Sequence, residues 1–399
     1  MADQTIVRAR GDQPRRRFLF STLPFMGHLH GLLPLAKAVE DAGHEVLFAT
    51  MADFCETIRV AGFECIAAGF PSWDAVRQEL GTELSAGDVY IAMADRMADD
   101  LVRYFDEWLP DVVVRDPMEY GGCIAAEVAG IPHAVGRMGA LWHPEIRRSM
   151  AEDGLSEIRA RFGLPEDPEA EMLFRYLAFA FISPELVSES EYIEPVTHFI
   201  RPAELPSPSE ELDVQWRPPP ANVPFVYATF GTVFNHRVAT LQLLARALAG
   251  QPYYALLTVG PRVALSSFQW VSASTNLQVR NYVPQDGLLP HCDAVVAHGG
   301  FHTVIGALMH GVPMLLLPQG GDHPRNADWC AEHGAALVLD GPHDSKAAIR
   351  AGVIEVLDDP SYRENALRIQ KTFAALPGMD VAVRLLEQLA STREPILNS

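Results

Sequence analysis

The chain of 399 residues lacks several motifs that would assign it to a common class of ligand-binding protein. No GxGxxG follows its first predicted strand, so the dinucleotide-binding turn of hydride-transfer enzymes is missing. The chain also has no GxxxxGKS/T phosphate-binding loop, no DxD motif, and no cluster of histidine and cysteine at the spacing of metal ligands. We therefore expect a protein that works without a bound cofactor or metal ion.

Cysteine and positive charge are also scarce. The five cysteines are scattered, odd in number and without a CxxC pair, which favours reduced thiols in a cytoplasmic protein. Lysine and arginine number 31 against 51 aspartate and glutamate, and the resulting net charge of −20 does not suit a surface for nucleic acid or an anionic membrane. No apolar run is long enough to span a bilayer, and residues 1–20 lack the apolar stretch and cleavage site of a signal peptide.

Short apolar segments alternate with amphipathic ones through both halves of the chain. In the first half, strands are predicted at 18–24, 44–50, 110–117 and 131–136, and helices at 28–43 and 121–129. In the second half, strands are predicted at 225–232, 254–260, 277–284, 294–298, 313–318 and 336–339, with a helix at 238–249 and more helices from 346 onward. This alternation is typical of doubly wound parallel sheets.

The segments between these two halves indicate how the domains are divided. Residues 140–200 are helical and mixed, and 168–181 carries apolar residues at helical spacing. The proline-rich stretch 201–224 indicates a semi-extended linker. We predict two Rossmann-like α/β domains whose parallel sheets face a cleft. The predicted units are a first domain, a linker, a second domain and a final helix that could cross back to the first domain: 1–205, 206–224, 225–375 and 376–399.

The segment 298–326 is the most informative part of the chain, because it contains two consecutive strand-to-helix connections. The first strand ends in His298 and a glycine turn, and a helix is predicted from about His302 and Thr303 to Gly311. Free N–H groups at such a helix N-terminus suit a phosphate or diphosphate. The next strand delivers polar residues to the same edge of the sheet: Asp322, His323 and Asn326. Either half alone favours a plain turn or helix cap, but both together favour a ligand site.

Two residues of the first half are candidates for acid–base chemistry. His28 begins the first long helix, where the helix dipole would disfavour the charged imidazolium and keep the ring neutral, as a general base requires. Asp116 ends a predicted strand in the same layer, where its carboxylate could hold and orient the imidazole. Taken alone, His28 is better explained as a surface or capping residue and Asp116 as the residue of an Asp-Pro turn.

Further candidates follow other strands of the second half. Gly231 would let the backbone approach a ligand, and Thr232 offers a hydroxyl and an N–H. Tyr282, beside Val283, could stack on a nucleobase, although an ordinary half-buried strand tyrosine is the alternative. Without a metal, the charge of a leaving diphosphate would have to be met by Thr232, Thr303, His298 and the helix N-terminus.

Together these residues resemble the inverting family 1 glycosyltransferases of the GT-B fold, of the bacterial natural-product type. The resemblance covers most of the chain and is strongest in FMGHLHGLLPLAKAVEDAGHEVLFAT (25–50), VVVRDP (112–117) and 282–340. It implies an N-terminal domain that binds the acceptor and a C-terminal domain that binds a nucleotide sugar. The implied partners are these two small molecules, in a monomer or homodimer without a membrane span.

The resemblance also implies a role for each candidate. His28 corresponds to the base that deprotonates the acceptor, and Asp116 to its partner. His298, Gly300 and Thr303 correspond to the positions that bind the diphosphate. Asp322 and His323 correspond to the positions that hold the hydroxyls of the donor sugar. The implied donor-binding residues are Gly231, Thr232, Tyr282, Val283, His298, Gly300, His302, Thr303, Asp322, His323 and Asn326.

Several positions depart from the family pattern. Gly31 replaces the proline that commonly follows the base by three positions. Phe301 and His302 replace small residues, and His323 replaces the Gln of the sugar-binding pair. Gly306 stands where many plant members have a Glu that grips both ribose hydroxyls. Because a deoxyribose has no 2′-hydroxyl to grip, we expect a TDP-linked donor rather than a UDP-linked one.

The expected reaction is an inverting, metal-independent transfer of a sugar or deoxysugar to a hydroxyl of an apolar aglycone in antibiotic biosynthesis. Two alternatives remain open. One is a GT-B protein without transferase activity, either a sugar-nucleotide epimerase or an auxiliary binding partner, and the other is a carrier of apolar ligands. Apolar residues of the first domain suggest a large apolar ligand, although core packing explains many of them equally well: Phe70, Trp73, Met93, Met138, Trp142, Phe174 and Phe179.

Overall fold

Two parallel β-sheets form the two lobes of the molecule. The computed structural model describes residues 14–81, 86–139, 141, 144–150, 154–188, 191–203, 219–220, 222–231, 238–339 and 345–398. Within these ranges the first sheet has seven strands and the second has six, and every strand pairs in parallel with its neighbours.

In the described residues, the first lobe contains strands β1–β7 and α-helices α1–α7. The strands are β1 (Arg17–Ser21), β2 (Glu45–Thr50), β3 (Glu64–Ala67), β4 (Val112–Arg115), β5 (His133–Arg137), β6 (Leu177–Ala180) and β7 (Thr197–Phe199). The helices are α1 (Met26–Asp41), α2 (Ala52–Val60), α3 (Trp73–Leu80), α4 (Ala86–Tyr104), α5 (Gly121–Val128), α6 (Pro144–Met150) and α7 (Ser156–Arg161). The strand order is β3-β2-β1-β4-β5-β6-β7.

The second lobe repeats this plan. Its strands are β8 (Phe225–Thr229), β9 (Tyr254–Thr258), β10 (Leu277–Arg280), β11 (Ala294–Ala297), β12 (Met314–Leu316) and β13 (Ala336–Val338), in the order β10-β9-β8-β11-β12-β13. The helices that follow are α8 (Val238–Leu248), α9 (Phe301–Met309), α10 (His323–Glu332), α11 (Lys346–Asp358), α12 (Pro360–Ala375) and α13 (Met379–Thr392).

Each sheet has one point where the order of its strands reverses. In the first sheet this point lies between β1 and β4, and in the second between β8 and β11. The connections leave such a pair of strands in opposite directions, so a crevice opens at their carboxyl ends, where ligands bind in folds of this class. His28 and Asp116 follow β1 and β4, and Gly231 and His298 follow β8 and β11. The topology therefore gathers the predicted residues at two crevices.

The predicted α/β class with two parallel sheets is confirmed, but one segment was wrong. Residues Glu171–Phe174 form a helical turn, whereas Leu177–Ala180 is strand β6, buried between β5 and β7. An apolar run that is buried on every side has the same pattern in a helix and in a central strand, so its spacing could not distinguish them. Most of the predicted linker, 206–224, lies outside the described residues.

Apolar and polar contacts join the two lobes. One buried cluster brings Ile182 of the first lobe together with Trp329 of the second. The last helix, α13, packs against α1, and its Leu386 lies in the core of the first lobe. Ser183 Oγ lies 2.7 Å from Thr372 Oγ1, which links the first lobe to α12. None of the helices in the described ranges combines the length and apolar character needed to cross a bilayer.

Candidate active site

His28 and Asp116 lie side by side at the crevice of the first sheet. His28 is the third residue of α1, and Asp116 follows β4 directly. The Nδ1 atom of His28 lies 3.1 Å from Oδ1 of Asp116, close enough for a hydrogen bond, although the N–H is bent away from a linear arrangement. Because Nδ1 faces the carboxylate, Nε2 is the nitrogen left to accept a proton from a substrate.

The carboxylate of Asp116 is fully buried and also organises the surrounding loops. Its Oδ2 accepts hydrogen bonds from the backbone N–H of Leu23 at 2.6 Å and the hydroxyl of Thr22 at 3.1 Å. Its Oδ1 accepts from the N–H groups of Met118 and Glu119 at 2.8 and 3.0 Å. Asp116 is thus both the turn residue after β4 and the neighbour of the imidazole. The two roles considered for it from the sequence are therefore compatible.

The charge of His28 follows Asp116 rather than the helix dipole. Burial disfavours the imidazolium and is the largest influence, but the Asp116 carboxylate, with a smaller contribution from Asp322, outweighs it and raises the pKa of His28 above 6.5. Burial also opposes the charged form of Asp116, yet His28 and the N–H donors lower the pKa of this carboxyl. The sequence argument that α1 keeps the ring neutral was therefore wrong in direction, and the ring is a free base only above its raised pKa.

The turn between β11 and α9 presents backbone N–H groups to the second crevice. Gly299 has φ +88°, and a Cβ there would lie 2.8 Å from the carbonyl oxygen of His323, so only glycine fits. Gly300 is the N-cap of α9 and provides no side-chain cap. The first N–H groups of a helix have no intrahelical acceptor, and this end of the dipole is positive. The turn therefore suits a diphosphate.

The imidazole of His298 lies between two glycines. A Cβ would lie 2.8 Å from its Nε2 at Gly231 and 2.5 Å from it at Gly300. The ring of His323 stands edge-on to it, with centroids 4.4 Å apart. Burial, and then the neighbouring His323, lower the pKa of His298 to about 3. A hydrogen bond with the Thr229 backbone opposes this shift only in part, so the ring is neutral at pH 7. An arriving diphosphate would favour protonation of the ring, which would supply a further N–H for the phosphate.

The N-terminus of α10 supplies the acidic part of this crevice. Asp322 is the N-cap and its side chain is 53% exposed, with Oδ1 4.0 Å from Nε2 of the buried His323. Burial lowers the pKa of His323, against the opposing charge of Asp322. Asn326 is fully buried and donates from Nδ2 to the Gly299 carbonyl at 2.9 Å and to Oδ2 of Asp322 at 2.7 Å. The Asn326 side chain therefore holds both the Gly299 turn and the Asp322 carboxylate in position.

The other predicted donor residues have different surroundings. The Thr303 hydroxyl donates to Oε1 of Gln285 at 3.3 Å, a residue that sequence reasoning missed although it follows a predicted strand. Tyr282 is 58% exposed, whereas Val283 packs against the core. Thr232 lies outside the described residues.

The two crevices face one another across a single cleft. His302, in the first turn of α9, brings its Nε2 within 2.6 Å of the Gly27 carbonyl oxygen in α1. The charge of Asp322 on α10 also acts on the pKa of His28 from the opposite lobe. The candidate base and the N–H groups of α9 therefore share one cleft. The ring of His302 contacts the first lobe, whereas the sequence placed it among the donor ligands.

Comparison with known proteins gives the same two halves. The model described as "Erythromycin biosynthesis protein CIII-like, N-terminal domain" matches residues 73–161, and its C-terminal counterpart matches residues 268–389. L-demethylnoviosyl transferase of Streptomyces niveus is 30% identical to this chain over 380 residues, which cover 90% of the chain and 95% of the relative. The chain belongs to the bacterial natural-product glycosyltransferases of the GT-B fold.

Other members of this family align over nearly their whole length. The 10-deoxymethynolide desosaminyltransferase of Streptomyces venezuelae is 29% identical, over 94% of this chain and 97% of the relative. The crystal structure of the glycosyltransferase VinC in complex with DTDP is similar with a TM-score of 0.76 and 26% identity, covering 94% of this chain and 99% of that one. A glycosyltransferase is an enzyme that transfers a sugar, so the chain is expected to bind a donor and an acceptor in its cleft.

Part of the apolar set predicted for the acceptor does lie beside the candidate base of this glycosyltransferase. Phe70, Trp73 and Met93 share one cluster at the end of the first sheet. Phe25, at the start of α1, connects this cluster to the base, because its ring lies 5.2 Å from that of Trp73 and 5.5 Å from that of His28. These side chains form an apolar wall next to the imidazole.

The remaining members of that set have other surroundings. Phe179 is a fully buried core residue of β6, and the Cζ atom of Arg137 lies 4.4 Å from the centroid of the Phe174 ring. Core packing therefore accounts for both residues. Met138 covers Gly31 on α1 so closely that a Cβ there would lie 1.5 Å from its Sδ. Trp142 lies outside the described residues.

A buried carboxylate between the lobes was missed by sequence reasoning. Glu191 accepts hydrogen bonds from the backbone N–H of Leu141 at 3.0 Å and of Ser188 at 2.8 Å. Its Oε1 also lies 3.0 Å from a guanidinium nitrogen of Arg325, on the helix that carries Asp322. Glu191 thus ties the loop at Leu141 to α10. No local pattern marks its role between the lobes, because Leu141 and Arg325 are distant from it in sequence and only Ser188 is near.

Proposed function

We propose that this glycosyltransferase moves a sugar or deoxysugar from a nucleoside diphosphate, TDP in preference to UDP, to a hydroxyl of an apolar natural-product aglycone. The transfer inverts the anomeric carbon and uses no metal ion. One observation carries the proposal. The paired His28 and Asp116 of α1 and β4 face the N-terminus of α9 across one cleft, which α9 spans through His302.

In the proposed reaction His28 acts as the general base. Its Nε2 takes the proton of the acceptor hydroxyl while the acceptor oxygen attacks the anomeric carbon, and the bond from that carbon to the diphosphate breaks. Asp116, held by four donors besides the imidazole, orients the ring and stabilises its positive charge. Attack comes from the face of the sugar opposite the diphosphate, because the base and the α9 N-terminus lie on opposite walls of the cleft.

The charge of the departing diphosphate is assigned to neutral donors and dipoles. The proposed donors are the first N–H groups of α9 and the imidazole of His298, which the fold places beside Gly231 and Gly300 before the reaction begins. Protonation of His298 by the growing negative charge would stabilise the leaving group further. Asp322, exposed and opposite His28, is the proposed acceptor for hydroxyls of the donor sugar.

The preference for TDP rests on the surroundings of Gly306 in α9. A Cβ at this position would already lie 2.8 Å from Cδ1 of Leu289. A longer acidic side chain, which could grip the hydroxyls of a ribose, has no room there unless Leu289 moves. VinC, a family member, is known in complex with DTDP. Both observations support a deoxyribose nucleotide.

The proposal is tested by mass spectrometry of the products from TDP- and UDP-linked sugars with a panel of polyketide and aromatic acceptors. We expect a glycosylated acceptor of inverted anomeric configuration, faster turnover with TDP donors, and no loss of rate with EDTA. A clear preference for UDP would remove the assignment of the nucleotide. Epimerised sugar formed without any acceptor, or acceptor binding without product, would remove the transferase assignment itself.

A further inference from the structure

The contact between His302 and Gly27 is unusual in its position, because it joins the two helices that carry the reacting groups. His302 lies in the first turn of α9, among the N–H groups assigned to the diphosphate. Gly27 directly precedes the candidate base His28 in the first turn of α1. The 2.6 Å contact between Nε2 and the carbonyl oxygen is therefore a direct link between the donor side and the base.

The chemistry of this contact fixes which atom is the donor. A carbonyl oxygen only accepts, so Nε2 must carry the proton. Burial, the largest influence, lowers the pKa of His302, although the Gly27 carbonyl opposes it, so the ring is neutral with its proton on Nε2. The carbonyl has a second lone pair for its bond within α1, so the link does not require the helix to open.

The neighbouring ring of His30 supports the position of His302. The two rings meet edge to face, with centroids 6.0 Å apart. Burial, and then His302, lower the pKa of His30 to about 4, so this ring is also neutral at pH 7 and does not repel its neighbour. The packing of two uncharged rings between the lobes restricts the rotation of the His302 side chain.

We propose that His302 is a positioning residue that couples donor binding on α9 to the placement of the base on α1. Its N–H sets the separation of the two helix N-termini, and so the distance from the acceptor oxygen to the anomeric carbon. Reacting atoms must approach within about 3–3.5 Å, and a displacement of about 1 Å can cost roughly 10²-fold in rate. A small side chain at position 302 could not span the cleft. This inference rests on the proposed function.

The test compares two substitutions of the same residue. His302→Gln retains an N–H donor near the position of Nε2, whereas His302→Leu retains bulk without a donor. We expect kcat to fall roughly tenfold in the leucine variant, from the lost alignment, and to stay within about threefold of the wild type in the glutamine variant, which can remake the bond. The affinity for TDP, measured by calorimetry, should change little in either variant because the Nε2 atom of His302 contacts Gly27 of the first lobe.

A second readout does not depend on catalysis. Addition of TDP should slow amide hydrogen exchange in residues 26–31 of the wild type, because α9 is tied to α1 through His302. In His302→Leu this effect of TDP should disappear, while protection of α9 itself remains. A merely structural role for His302 would lower the melting temperature without changing which segments respond to TDP.

His198 offers a matched control. Its Nε2 lies 3.0 Å from the carbonyl oxygen of Ile396, a bond of the same kind at the edge strand β7, away from the cleft. His198→Leu should leave kcat and the exchange response unchanged.

The possible outcomes separate the two proposals. A wild-type enzyme that transfers no sugar in the acceptor panel counts against the proposed function. An active wild type with full kcat in His302→Leu overturns the positioning role alone. A loss of TDP affinity of about tenfold or more in His302→Leu also overturns it, because His302 would then be a ligand of the diphosphate.

Discussion

The donor side and the base side of the cleft are built in different ways. Most of the proposed donor side comes from one stretch of chain, 298–326, which contains the glycine turn after β11, then α9, β12 and the start of α10. The base side joins His28 and Asp116, which are 88 positions apart and meet only because β1 and β4 are neighbours in the sheet. A site formed by one stretch of chain can be recognised in the sequence as a motif. A site formed by residues from different strands can be recognised only once the order of the strands is known.

The two sides also differ in how they manage charge. On the base side a buried carboxylate raises the pKa of His28, so the ring and its partner form an ion pair below that pKa. On the donor side burial lowers the pKa of His298, so this ring is neutral until an anion arrives. Substitutions on the base side should therefore change the rate and its pH dependence, and those on the donor side should change nucleotide affinity.

The largest effect is expected for the base. His28→Ala should lower kcat by roughly 10²-fold or more, because the acceptor hydroxyl would lose its proposed general base. TDP affinity, measured by calorimetry, should be unchanged because His28 belongs to the opposite lobe. Wild-type turnover in the purified variant would show that the proton goes elsewhere.

Asp116→Asn should change the pH dependence of the reaction. The base is active when neutral, so kcat/KM of the wild type should fall as the pH drops through the raised pKa of His28. Without the carboxylate, burial lowers that pKa, and the acidic limb should move to lower pH with a slower rate at neutral pH. Asp167→Asn is a matched control, because Asp167 is also buried and accepts two backbone N–H bonds at the start of a helical turn. If the acidic limb of the kcat/KM profile does not move in Asp116→Asn, the Asp116 carboxylate does not set the pKa of His28.

The same pair makes a prediction for stability with a definite sign. The raised pKa of His28 means that its contribution to stability is present below pH 6.5 and is lost as the pH rises through the folded pKa. The lowered pKa of Asp116 gives a contribution that is present above pH 3.8 and is lost as the pH falls through its folded pKa. In urea unfolding curves measured across this range, Asp116→Asn should remove the dependence that Asp116 causes and reverse the one that His28 causes, because burial without the carboxylate lowers the pKa of the imidazole.

A smaller effect is expected on the donor side for Gly300→Ala. The backbone of Gly300 is in an ordinary extended region, with φ −64°, so the added methyl acts by contact alone. That methyl would lie 2.5 Å from Nε2 of His298, whose ring is confined by His323. We expect TDP affinity to fall roughly tenfold, by the loss of one or two hydrogen bonds to a charged group.

Gly378→Ala is the control for that substitution. Gly378 is also a helix N-cap with ordinary φ, and a methyl there would meet only exposed or flexible side-chain atoms. It should leave TDP affinity unchanged. Equal affinity in both variants would show that His298 does not contact the diphosphate.

The smallest effect is expected for the link between the two sides, Glu191→Gln. Glu191 is buried, but its partner Arg325 is 42% exposed, so solvent weakens the pair and the loss should be about 1 kcal/mol of unfolding free energy. A roughly twofold to threefold rise in the KM for the donor should accompany it, because α10 carries Asp322. Glu185→Gln, which removes an exposed ion pair with Arg368 between the lobes, should change neither the free energy of unfolding nor the KM for the donor. If Glu191→Gln also leaves both quantities unchanged, the contact between Glu191 and Arg325 does not help to hold α10 in place.

The sequence by itself determined the fold class, and it predicted the proposed donor side from residues close together in the chain. Alternating apolar segments fixed two parallel sheets, because buried parallel strands must be apolar and their crossovers amphipathic. The glycines after β11 were predicted to form a ligand turn, and in the structure Gly299 and Gly300 lie where a side chain would collide with His323 and His298. These features depend on residues close together in the chain.

Only the tertiary structure decided the rest. The strand within 168–181 was hidden because burial on all sides removes the periodicity that separates helix from strand. The direction of the pKa shift of His28 depended on how closely a distant carboxylate approaches, which no local pattern encodes. The links made by His302 and Glu191 cross between lobes, and a contact between segments far apart in sequence exists only after the chain has folded.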